Sequence, residues 1–499
     1  MPLDHFNASD RRTFINRFWV NDTYYKPGGP VILADFGEGT VMDDMVATIL
    51  AEWGGHVATA PMELARELGG VAMVLEHRYY GYSQPFKLTS TTSYSTNDLP
   101  VGGPKDYQYL SVEQALEDVV YFASRHISQA DLNLNTVLAA PNATWQLHPS
   151  RTPWIWASGS YGGSRGVWLR IRNPEVIYAV WASSAPVECR PDGSAYFNSI
   201  YRSMASNCSA DVQAVVRHVD RVLSDDEDSR GAALDLKASN LARDVAANAT
   251  RLSPVHVARL LIEPLSLLFQ SFGPSATVHR FCDYMQRFDT AAAVELALAA
   301  YLHAVWRSKA DVADVVGSDF RFLPLDRDAH AWAWQTWTET GMVPHVDAAS
   351  PLALGSKFLG YAAARASFVN NTGGFPPAAP PDPRFVAALG GWHMRPSNVM
   401  FTHGEFDPWR AFSVSSLDQH LGAPRRRLVA GAAIPKCNRP PPGTDVFGLL
   451  HAGAAHSQDM VGLRGGGAGD EGRYFDHASQ LFLKALREEW LPCFNATAV

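Results

Sequence analysis

The chain has 499 residues, of which 46% are apolar, 11% aromatic and 18% charged, so it carries enough buriable surface to exclude a disordered chain. Its 42 Lys and Arg against 50 Asp and Glu give a net charge of −8, which argues against a nucleic-acid-binding protein, because phosphate binding needs clustered cations. The length exceeds what one hydrophobic core usually organises, and predicts one large domain with an insertion, or two domains.

Short apolar runs alternate with helical patterns in the first third of the chain, which is typical of a parallel sheet built from βαβ units. A crossover helix is predicted at 111–125, where apolar residues recur at helical spacing and Ser111 is placed as the N-cap. The predicted strands in this part are 30–36, 71–78, 153–160 and 178–185.

Helical, Ala-rich and aromatic segments replace the strand patterns from about 191 to 383, where a Pro-rich stretch ends them. This change predicts a helical cap inserted into an α/β domain. The most apolar long stretch, 290–306, contains Glu295 and His303 and is too short to span a bilayer, so it is interpreted as a buried helix and no membrane span is predicted.

Strand patterns resume after the insertion at 398–406 and 426–434, and a final amphipathic helix is predicted at 475–490. The predicted organisation is therefore a sheet domain in two parts with the cap between them. Its boundaries are 1–190, 191–385 and 386–499.

The strongest motif is PWIWASGSYGG at 153–163, in which an apolar strand runs into a glycine-rich turn. A nucleophilic serine must project from a sharp strand-to-helix turn, which requires small neighbours, and Ser160 has them. The literal G-x-S-x-G match is centred on Ser164, but that residue is predicted inside the following helix, so Ser160 is preferred. The amide of Tyr161 is placed to donate to an oxyanion at the helix start. A purely structural glycine-rich turn is the alternative.

The acid and then the histidine follow the nucleophile along the chain in this class of fold. The carboxyl end of the strand predicted around 398–406 carries Glu405 and Asp407, and Asp407 is favoured as the acid that holds the histidine in one tautomer. His456 lies in a loop before the last helix and is predicted to be the base, with His403 and His451 as competitors.

Acceptor tripeptides for N-glycosylation and a low cysteine count bear on the compartment. Five cysteines allow at most two disulfides with one left over, and their spacing fits no zinc site. No secretory signal is visible at the amino terminus, so the chain is interpreted as a mature form or an incomplete gene model. The acceptors favour the secretory pathway. They are Asn7, Asn21, Asn142, Asn207, Asn248, Asn370 and Asn495.

Several long segments carry a family resemblance that runs through most of the chain. They are LDHFN, FINRFWVNDTYYKPGGPVIL, LEHRYYGYSQPF, YLSVEQALEDVVYF, SGSYGG, WASSAPVE, HGEFDPW and AHSQDM. Together they resemble the proline-specific serine peptidase family that contains lysosomal Pro-X carboxypeptidase, a vesicular dipeptidyl peptidase, thymus-specific serine protease and fungal prolyl endoproteases. The resemblance implies an α/β-hydrolase fold that needs no cofactor.

The same resemblance assigns roles to individual residues. It implies Ser160 as nucleophile, Asp407 as acid and His456 as base, with Tyr161 and Gly37 at the oxyanion hole. It implies that the cap closes over the site and helps select proline, whose ring packs well against aromatic side chains. The candidate substrate contacts are Glu38, Trp409, Ser164, Trp334 and Trp337.

Three positions depart from the family pattern: Ser158 replaces a glycine, Ser164 a bulkier apolar residue and Trp337 a cysteine. The width and depth of the pocket are therefore expected to differ from those of the relatives. The resemblance implies the disulfide Cys208–Cys282. A second bridge, Cys437–Cys493, is a guess, and Cys189 has no evident partner.

The predicted function is hydrolysis of peptide bonds on the carboxyl side of proline through an acyl-enzyme. Carboxypeptidase, dipeptidyl peptidase and endopeptidase modes stay open, as does a homodimer. An esterase or lipase of the same fold and a catalytically silent binding relative are the alternatives. The expected partners are peptides or proteins and no nucleic acid, in a secreted or lysosomal setting.

Overall fold

The fold was obtained as a computed structural model that describes most of the chain. The described residues are 1–41, 46, 50, 52–53, 56–57, 59–88, 103–127, 147–224, 254–272, 276–287, 327–371, 380–430, 434–462 and 470–494. The buried helix predicted at 290–306 lies outside them.

A central sheet of eight strands organises the molecule, in the order β1-β5-β2-β6-β7-β8-β10-β9. Only the first pair, β1 with β5, is antiparallel, and every other neighbouring pair is parallel. A separate two-stranded antiparallel ribbon is formed by β3 and β4. The strands are β1 Phe18–Asn21, β2 Val31–Asp35, β3 Glu52–Trp53, β4 His56–Val57, β5 Val71–Leu75, β6 Trp154–Gly159, β7 Ala179–Ser183, β8 Val399–Gly404, β9 Leu428–Val429 and β10 Val446–His451.

Helices cover both faces of this sheet and also build the region between β7 and β8. The α-helices are α1 Ala60–Leu68, α2 Val112–Tyr121, α3 Ser160–Arg172, α4 Ala195–Ser203, α5 Ser206–Ser224, α6 Pro254–Phe272, α7 Ala276–Met285, α8 Arg327–Gln335, α9 Tyr361–Asn371, α10 Arg384–Ala387 and α11 Asp470–Ala485. Short 3₁₀ or π segments extend several of them. None of the helices in the described ranges is both long and apolar enough to cross a membrane.

Alternating side chains of the buried strands pack into two separate hydrophobic cores, one on each face of the sheet. Val31 and Leu33 of β2 point to the face covered by α2 and α3, whereas Ile32 and Ala34 point to the face covered by α1 and α11. Because each strand residue alternates between faces, a strand buried on both sides reads as a continuous apolar run. This explains why β2, β5, β6 and β7 were predicted from the sequence, each within a few residues of its observed bounds.

The predicted crossover helix is confirmed, and its first turn is capped as expected. The Ser111 side chain accepts a hydrogen bond from the Gln114 amide at 3.1 Å. The helix becomes a π-turn at Phe122–His126. The last helix begins earlier than predicted, at Asp470, and continues as a π-turn at Leu486–Trp490.

Strand β10 was missed by the sequence analysis, and a glycine explains the omission. Gly448 lies in the middle of this strand with φ +154°, and a Cβ there would approach the Phe401 carbonyl oxygen to 1.7 Å. Glycine weakens a strand pattern but is required where two backbones pack this closely. The strand predicted at 426–434 is confirmed only as the two-residue β9, Leu428–Val429, beside β10.

The described residues between β7 and β8 form no strand, which agrees with a helical insertion. They have a core of their own, in which α4, α5 and α6 contribute Phe197, Val212 and Leu265, and this core also takes up Ala411 and Phe412 from the segment after β8. The insertion therefore packs against the segment that directly follows Asp407. Its division into domains at 191 and 385 stays a prediction.

Two disulfides are present, Cys208–Cys282 within the helical region and Cys437–Cys493 near the carboxyl end. Both expected pairings are therefore confirmed, and Cys189 is a buried free thiol. Disulfides persist in oxidising compartments, so the two bridges fit a secretory route. The fold as a whole is α/β-hydrolase, with its serine turn directly after β6.

Candidate active site

Parallel strands place their carboxyl ends at one edge of a sheet, and the predicted triad lies there. Ser160 follows β6, Asp407 follows β8 by three residues, and His456 follows β10 by five. The register aligns these ends, since Gly159 pairs with Ser183 and β10 pairs with β8 up to residue 404. The strand order therefore brings together side chains that are almost 300 residues apart in sequence.

Ser160 lies at a sharp junction between β6 and α3. Its φ of +55° is a left-handed conformation, which costs a non-glycine residue free energy and is maintained only by surrounding structure. An added Cβ at Gly159 would approach the Ser457 hydroxyl oxygen to 2.7 Å, and one at Gly163 would approach the Ser158 carbonyl oxygen to 2.9 Å. The small residues flanking Ser160 are thus required by close contacts, and the side chain of Ser160 remains partly exposed.

The two other serines of this motif have identified partners in the interior. Ser164 is fully buried within α3, and its hydroxyl bonds the carbonyls of Ser160 at 3.2 Å and Pro186 at 2.8 Å. Ser158 accepts a hydrogen bond from the Asp35 amide at 2.8 Å. Ser164 therefore lies inside the helix, as expected, and Ser158 connects β6 to the end of β2.

Asp407 and His456 are in direct contact. His456 Nδ1 is 3.0 Å from each Asp407 carboxylate oxygen, and Asp407 also accepts the Trp409 amide at 2.9 Å. Burial disfavours the charged imidazole, but the Asp407 carboxylate outweighs it and raises the pKa of His456 above its ordinary 6.5. With Nδ1–H donated to Asp407, Nε2 is the nitrogen left to accept a proton.

Three successive amides of the histidine loop are each held by a different acceptor. The Ala455 amide donates to the Gln458 side chain at 2.8 Å, and the Ser457 amide donates to the Ser184 hydroxyl at 2.9 Å. Between them, the His456 amide donates to the backbone carbonyl of Gln270 at 3.1 Å. The loop is thus fixed by its own side chain, by the sheet edge and by the helical insertion.

Ser184 and Ser457 have left-handed backbones like Ser160, with φ of +49° and +54°. Because Gly159 lies against Ser457, the turn that carries the candidate nucleophile touches the loop that carries the candidate base. Such strained positions persist only where the surrounding contacts determine them, and here they cluster at one sheet edge.

The loop after β2 lies on the other side of Ser160. An added Cβ at Gly37 would be 3.1 Å from the Gly162 amide nitrogen, so the two turns are in close contact. The Gly37 amide donates to the Asp35 carboxylate at 2.7 Å, and Asp35 forms a buried ion pair with Arg165 of α3. Asp35 and Arg165 were missed by the sequence analysis, although Asp35 directly precedes the Phe-Gly-Glu-Gly turn.

Tyr161 and Glu38 complete this side of the site. Tyr161 occupies the first turn of α3, where helix amides have no acceptor within the helix. Burial raises the pKa of the Glu38 carboxyl, against the opposing effects of its own amide and of nearby His456. Glu38 is therefore close enough to His456 for the charge of each group to shift the pKa of the other.

The competing histidines occupy different surroundings. His403 is buried in β8, and among the described residues neither ring nitrogen has a hydrogen-bond partner; burial lowers its pKa to about 3. His451 lies 3.6 Å from Asp459, whose carboxylate accepts the Ser183 hydroxyl. His456 is the one of the three that contacts Asp407 directly.

Trp409 lies closest to the candidate triad among the predicted aromatic contacts. Its ring meets Tyr196 edge-on with centroids 5.0 Å apart, and its indole N–H donates to Gln270 Oε1 at 3.1 Å. Trp334 stacks on Tyr107, whereas Trp337 is buried beside Tyr361; both belong to a separate aromatic cluster.

Trp332 and Gln335 were missed, although they are three residues apart on one face of α8. The Trp332 ring packs on the Tyr161 ring at 5.3 Å, and Gln335 Nε2 donates to the Tyr161 hydroxyl at 2.8 Å. Helical spacing within Trp-Ala-Trp-Gln was the available signal, but the sequence did not show which face of the helix approaches Tyr161.

The asparagines of the acceptor tripeptides differ in accessibility. Asn7 and Asn207 are exposed, whereas the Asn21 side chain donates to the Leu50 carbonyl at 2.6 Å. Asn142, Asn248 and Asn495 lie outside the described residues, as does the side chain of Asn370. Within the described part of the chain, no group of three or more His, Cys, Asp or Glu has the arrangement of a metal site.

Comparisons with known proteins identify a family and several relatives. The family model described as serine carboxypeptidase S28 matches residues 1–359. Serine protease vicPa of Bipolaris victoriae is 26% identical over 447 residues, which is 83% of this chain and 77% of its own. Thymus-specific serine protease of Mus musculus is 34% identical over 44% of this chain and 38% of its own.

A third relative is prolyl carboxy peptidase like protein 5 of Caenorhabditis elegans, which is 30% identical over 37% of this chain and 30% of its own. The family match covers well over half of the chain and includes the Ser160 turn. The chain therefore belongs to the serine carboxypeptidase S28 family and is a serine-type peptidase.

Proposed function

We propose that this peptidase acts through Ser160 as nucleophile, His456 as general base and Asp407 as the acid that orients the imidazole. The observation that carries the proposal is the bond from His456 Nδ1 to both Asp407 oxygens, in a loop that touches the Ser160 turn. Nε2 is then free to accept the proton of the serine hydroxyl, which peptide hydrolysis by a serine nucleophile requires.

In the acylation step, Ser160 Oγ attacks the peptide carbonyl carbon while its proton passes to His456 Nε2. The carbonyl oxygen takes the electron pair and is stabilised by the Tyr161 amide, since the Gly37 amide is donated to the Asp35 carboxylate and the Glu38 amide to its own carboxylate. Collapse of the tetrahedral intermediate breaks the C–N bond and expels the amine, which takes the proton from His456. Water then attacks the acyl-enzyme in the same way, releasing the acid and restoring the Ser160 hydroxyl.

Cleavage on the carboxyl side of proline is the proposed specificity. Trp409 follows Asp407 by two residues and presents an aromatic side chain next to the catalytic segment, where a compact apolar proline ring can pack. The resemblance to prolyl peptidases and the name of the nematode relative support the same substrate class. The proposed setting is the secretory pathway, as a secreted or lysosomal enzyme, on the basis of the two disulfides and the acceptor asparagines.

Replacing the nucleophile gives the most direct test. In Ser160→Ala we expect peptide turnover to fall by about 10⁴-fold or more, because the acyl-enzyme can no longer form, with an unchanged unfolding temperature. A fluorophosphonate should label the wild type at Ser160 and not label the variant. Ser164→Ala is the matched variant and should keep its labelling. Near-normal turnover in Ser160→Ala would overturn the assignment.

A peptide library with free and blocked termini then defines the reaction. Loss of cleavage on blocking the carboxyl terminus identifies a carboxypeptidase, and loss on blocking the amino terminus identifies a dipeptidyl peptidase. An endopeptidase tolerates both changes. Rapid ester turnover without peptide cleavage would instead indicate an esterase, and absence of both reactions and of labelling would indicate a silent relative.

A further inference from the structure

Gln270 lies at the carboxyl end of α6 and connects three parts of the chain to one another. Its side-chain oxygen accepts two hydrogen bonds, from the Trp409 indole N–H at 3.1 Å and from the Tyr196 hydroxyl at 2.9 Å. Tyr196 belongs to α4 and accepts a further bond from Ser266, one turn earlier on α6, at 2.9 Å. The amide oxygen of Gln270 therefore fixes the edge of the Trp409 ring against two helices of the insertion.

The backbone of the same residue reaches the histidine loop. Its carbonyl accepts the His456 amide at 3.1 Å, and the next carbonyl, of Ser271, accepts the Gln458 side-chain amide at 3.2 Å. Carbonyls in the last turn of a helix lack partners within that helix and must be satisfied elsewhere. Here the last turn of α6 is completed by the loop that carries the candidate base.

These contacts place one residue between the aromatic ring proposed to receive the substrate side chain and the imidazole proposed to activate Ser160. Trp409 is also tied to Asp407, whose carboxylate accepts the Trp409 amide at 2.9 Å. A shift of the Trp409 ring would thus be passed to His456 by two routes, through Gln270 and through Asp407.

We propose that Gln270 is a positioning residue that couples the packing of a substrate residue on the Trp409 ring to the placement of His456. The proposal rests on the proposed function and adds a role for the insertion: its helix end is part of the support of the catalytic base. A substrate residue that packs well on Trp409 holds the ring, the Gln270 side chain and the histidine loop in one arrangement. A smaller residue leaves the ring less constrained, so the base is held less accurately.

The expected size of the effect follows from the sensitivity of catalysis to position. Displacing a catalytic group by about 1 Å can cost about 10²-fold in rate. Gln270→Met keeps the length of the side chain and removes its acceptor oxygen. We expect kcat/KM for a proline substrate to fall by about 10- to 100-fold, mainly in kcat, and the preference for proline over alanine to decrease.

The conservative variant and a matched control separate positioning from general destabilisation. Gln270→Glu retains an acceptor oxygen for both donors, so it should recover most of the proline preference lost in Gln270→Met. Gln213 of α5 also bridges segments of the insertion, with bonds to the Pro351 and Ala353 carbonyls at 2.9 and 3.1 Å. Neither of these bonds involves Trp409 or the histidine loop. Gln213→Met should leave the proline preference unchanged.

A double-mutant cycle with Tyr196→Phe supplies the decisive measurement. If the shared hydrogen bonds carry the effect, the double variant Gln270→Met/Tyr196→Phe should be little worse than Gln270→Met alone. Wild-type kcat and proline preference in Gln270→Met, with fluorophosphonate labelling intact, would overturn the proposal. Equal losses in Gln270→Glu and Gln270→Met would overturn it as well. Failure of the wild type to be labelled would instead count against Ser160 as nucleophile.

Discussion

The sheet edge around Ser160 and the end of the helical insertion around Gln270 hold their residues by different physical means. At the sheet edge, the packing leaves no room for added side chains: a Cβ at Gly159 would meet the Ser457 side chain, and one at Gly163 would meet the Ser158 carbonyl. The Asp35–Arg165 ion pair there is also buried. At the insertion, neutral side chains are joined by hydrogen bonds: the Gln270 side-chain oxygen accepts one from Trp409 and one from Tyr196. The first arrangement tolerates almost no displacement, and the second allows small adjustments.

This difference matches the two tasks of the enzyme. Bond cleavage requires a fixed nucleophile and base, and close packing at the sheet edge helps to provide this. Substrate selection benefits from contacts that can respond to what occupies the pocket, and a neutral hydrogen bond contributes only about 1 kcal/mol. Changes at the sheet edge should therefore abolish the reaction, whereas changes at the end of the insertion should lower turnover more modestly and also alter specificity.

Asp407→Asn should give the largest effect, because it breaks the sheet-edge arrangement without changing its shape. The amide cannot hold His456 in the tautomer that leaves Nε2 free, and we expect kcat to fall by about 10⁴-fold. The pKa of His456 is raised above its ordinary 6.5, and below that pKa the imidazole is cationic and cannot accept the serine proton. The wild-type kcat/KM should therefore decline as the pH falls through the raised pKa. In the variant this acid limb should move to lower pH.

A full pH–rate profile of both proteins measures these changes. Fluorescence or circular dichroism of Asp407→Asn should match the wild type, which separates loss of chemistry from unfolding. An unchanged acid limb in the variant would mean that the ionisation controlling the rate is not that of His456 beside Asp407.

The two disulfides allow the same comparison at the level of stability. Cys437–Cys493 closes a loop between residues separated by 56 positions and Cys208–Cys282 one of 74, so chain entropy predicts a contribution of about 4 kcal/mol from each. Cys437→Ser/Cys493→Ser should lower the unfolding temperature of the sheet region, where Cys437 packs. Cys208→Ser/Cys282→Ser should first weaken the helical core and reduce proline preference.

Thermal unfolding and the proline-to-alanine ratio, measured on both double variants, test the distinction. If both variants lost stability and specificity to the same extent, the sheet region and the insertion would unfold as one cooperative unit.

His403→Leu should have the smallest effect and should appear only in acid. The folded pKa of His403 is about 3 because burial disfavours its charged form, whereas the unfolded value is near the ordinary 6.5. The unfolded chain therefore binds the proton first, and stability present above pH 6.5 is lost as the pH falls towards 3, by up to about 1.4 kcal/mol per pH unit. Leucine removes this proton uptake.

Unfolding by urea at pH 7 and at pH 4.5 provides the measurement. The difference in unfolding free energy between the two pH values should be smaller in His403→Leu than in the wild type. The same difference in both proteins would show that other groups govern the acid sensitivity of the sheet.

Sequence reasoning succeeded where local rules dominate. The Ser160 turn combines an apolar strand with glycines, Asp407 follows a predicted strand, and His456 was predicted in a loop before the last helix. These short-range signals sufficed to choose residues that the structure brings to one sheet edge. It failed at β10, where Gly448 interrupts the pattern to permit contact with β8. The Gln270 contacts were beyond its reach, because nothing in an amphipathic helix specifies which distant loop will meet its last turn.

The three left-handed serines at positions 160, 184 and 457 have a consequence for protein engineering. Each conformation costs a non-glycine residue roughly 1 kcal/mol or more, so glycine at Ser184 or Ser457 looks attractive to anyone seeking a more heat-resistant enzyme. The Ser184 hydroxyl accepts the Ser457 amide, however, so Ser184→Gly would remove this bond and release the histidine loop. Ser457→Gly keeps the amide, so it is the substitution expected to raise thermal stability at the least cost in turnover.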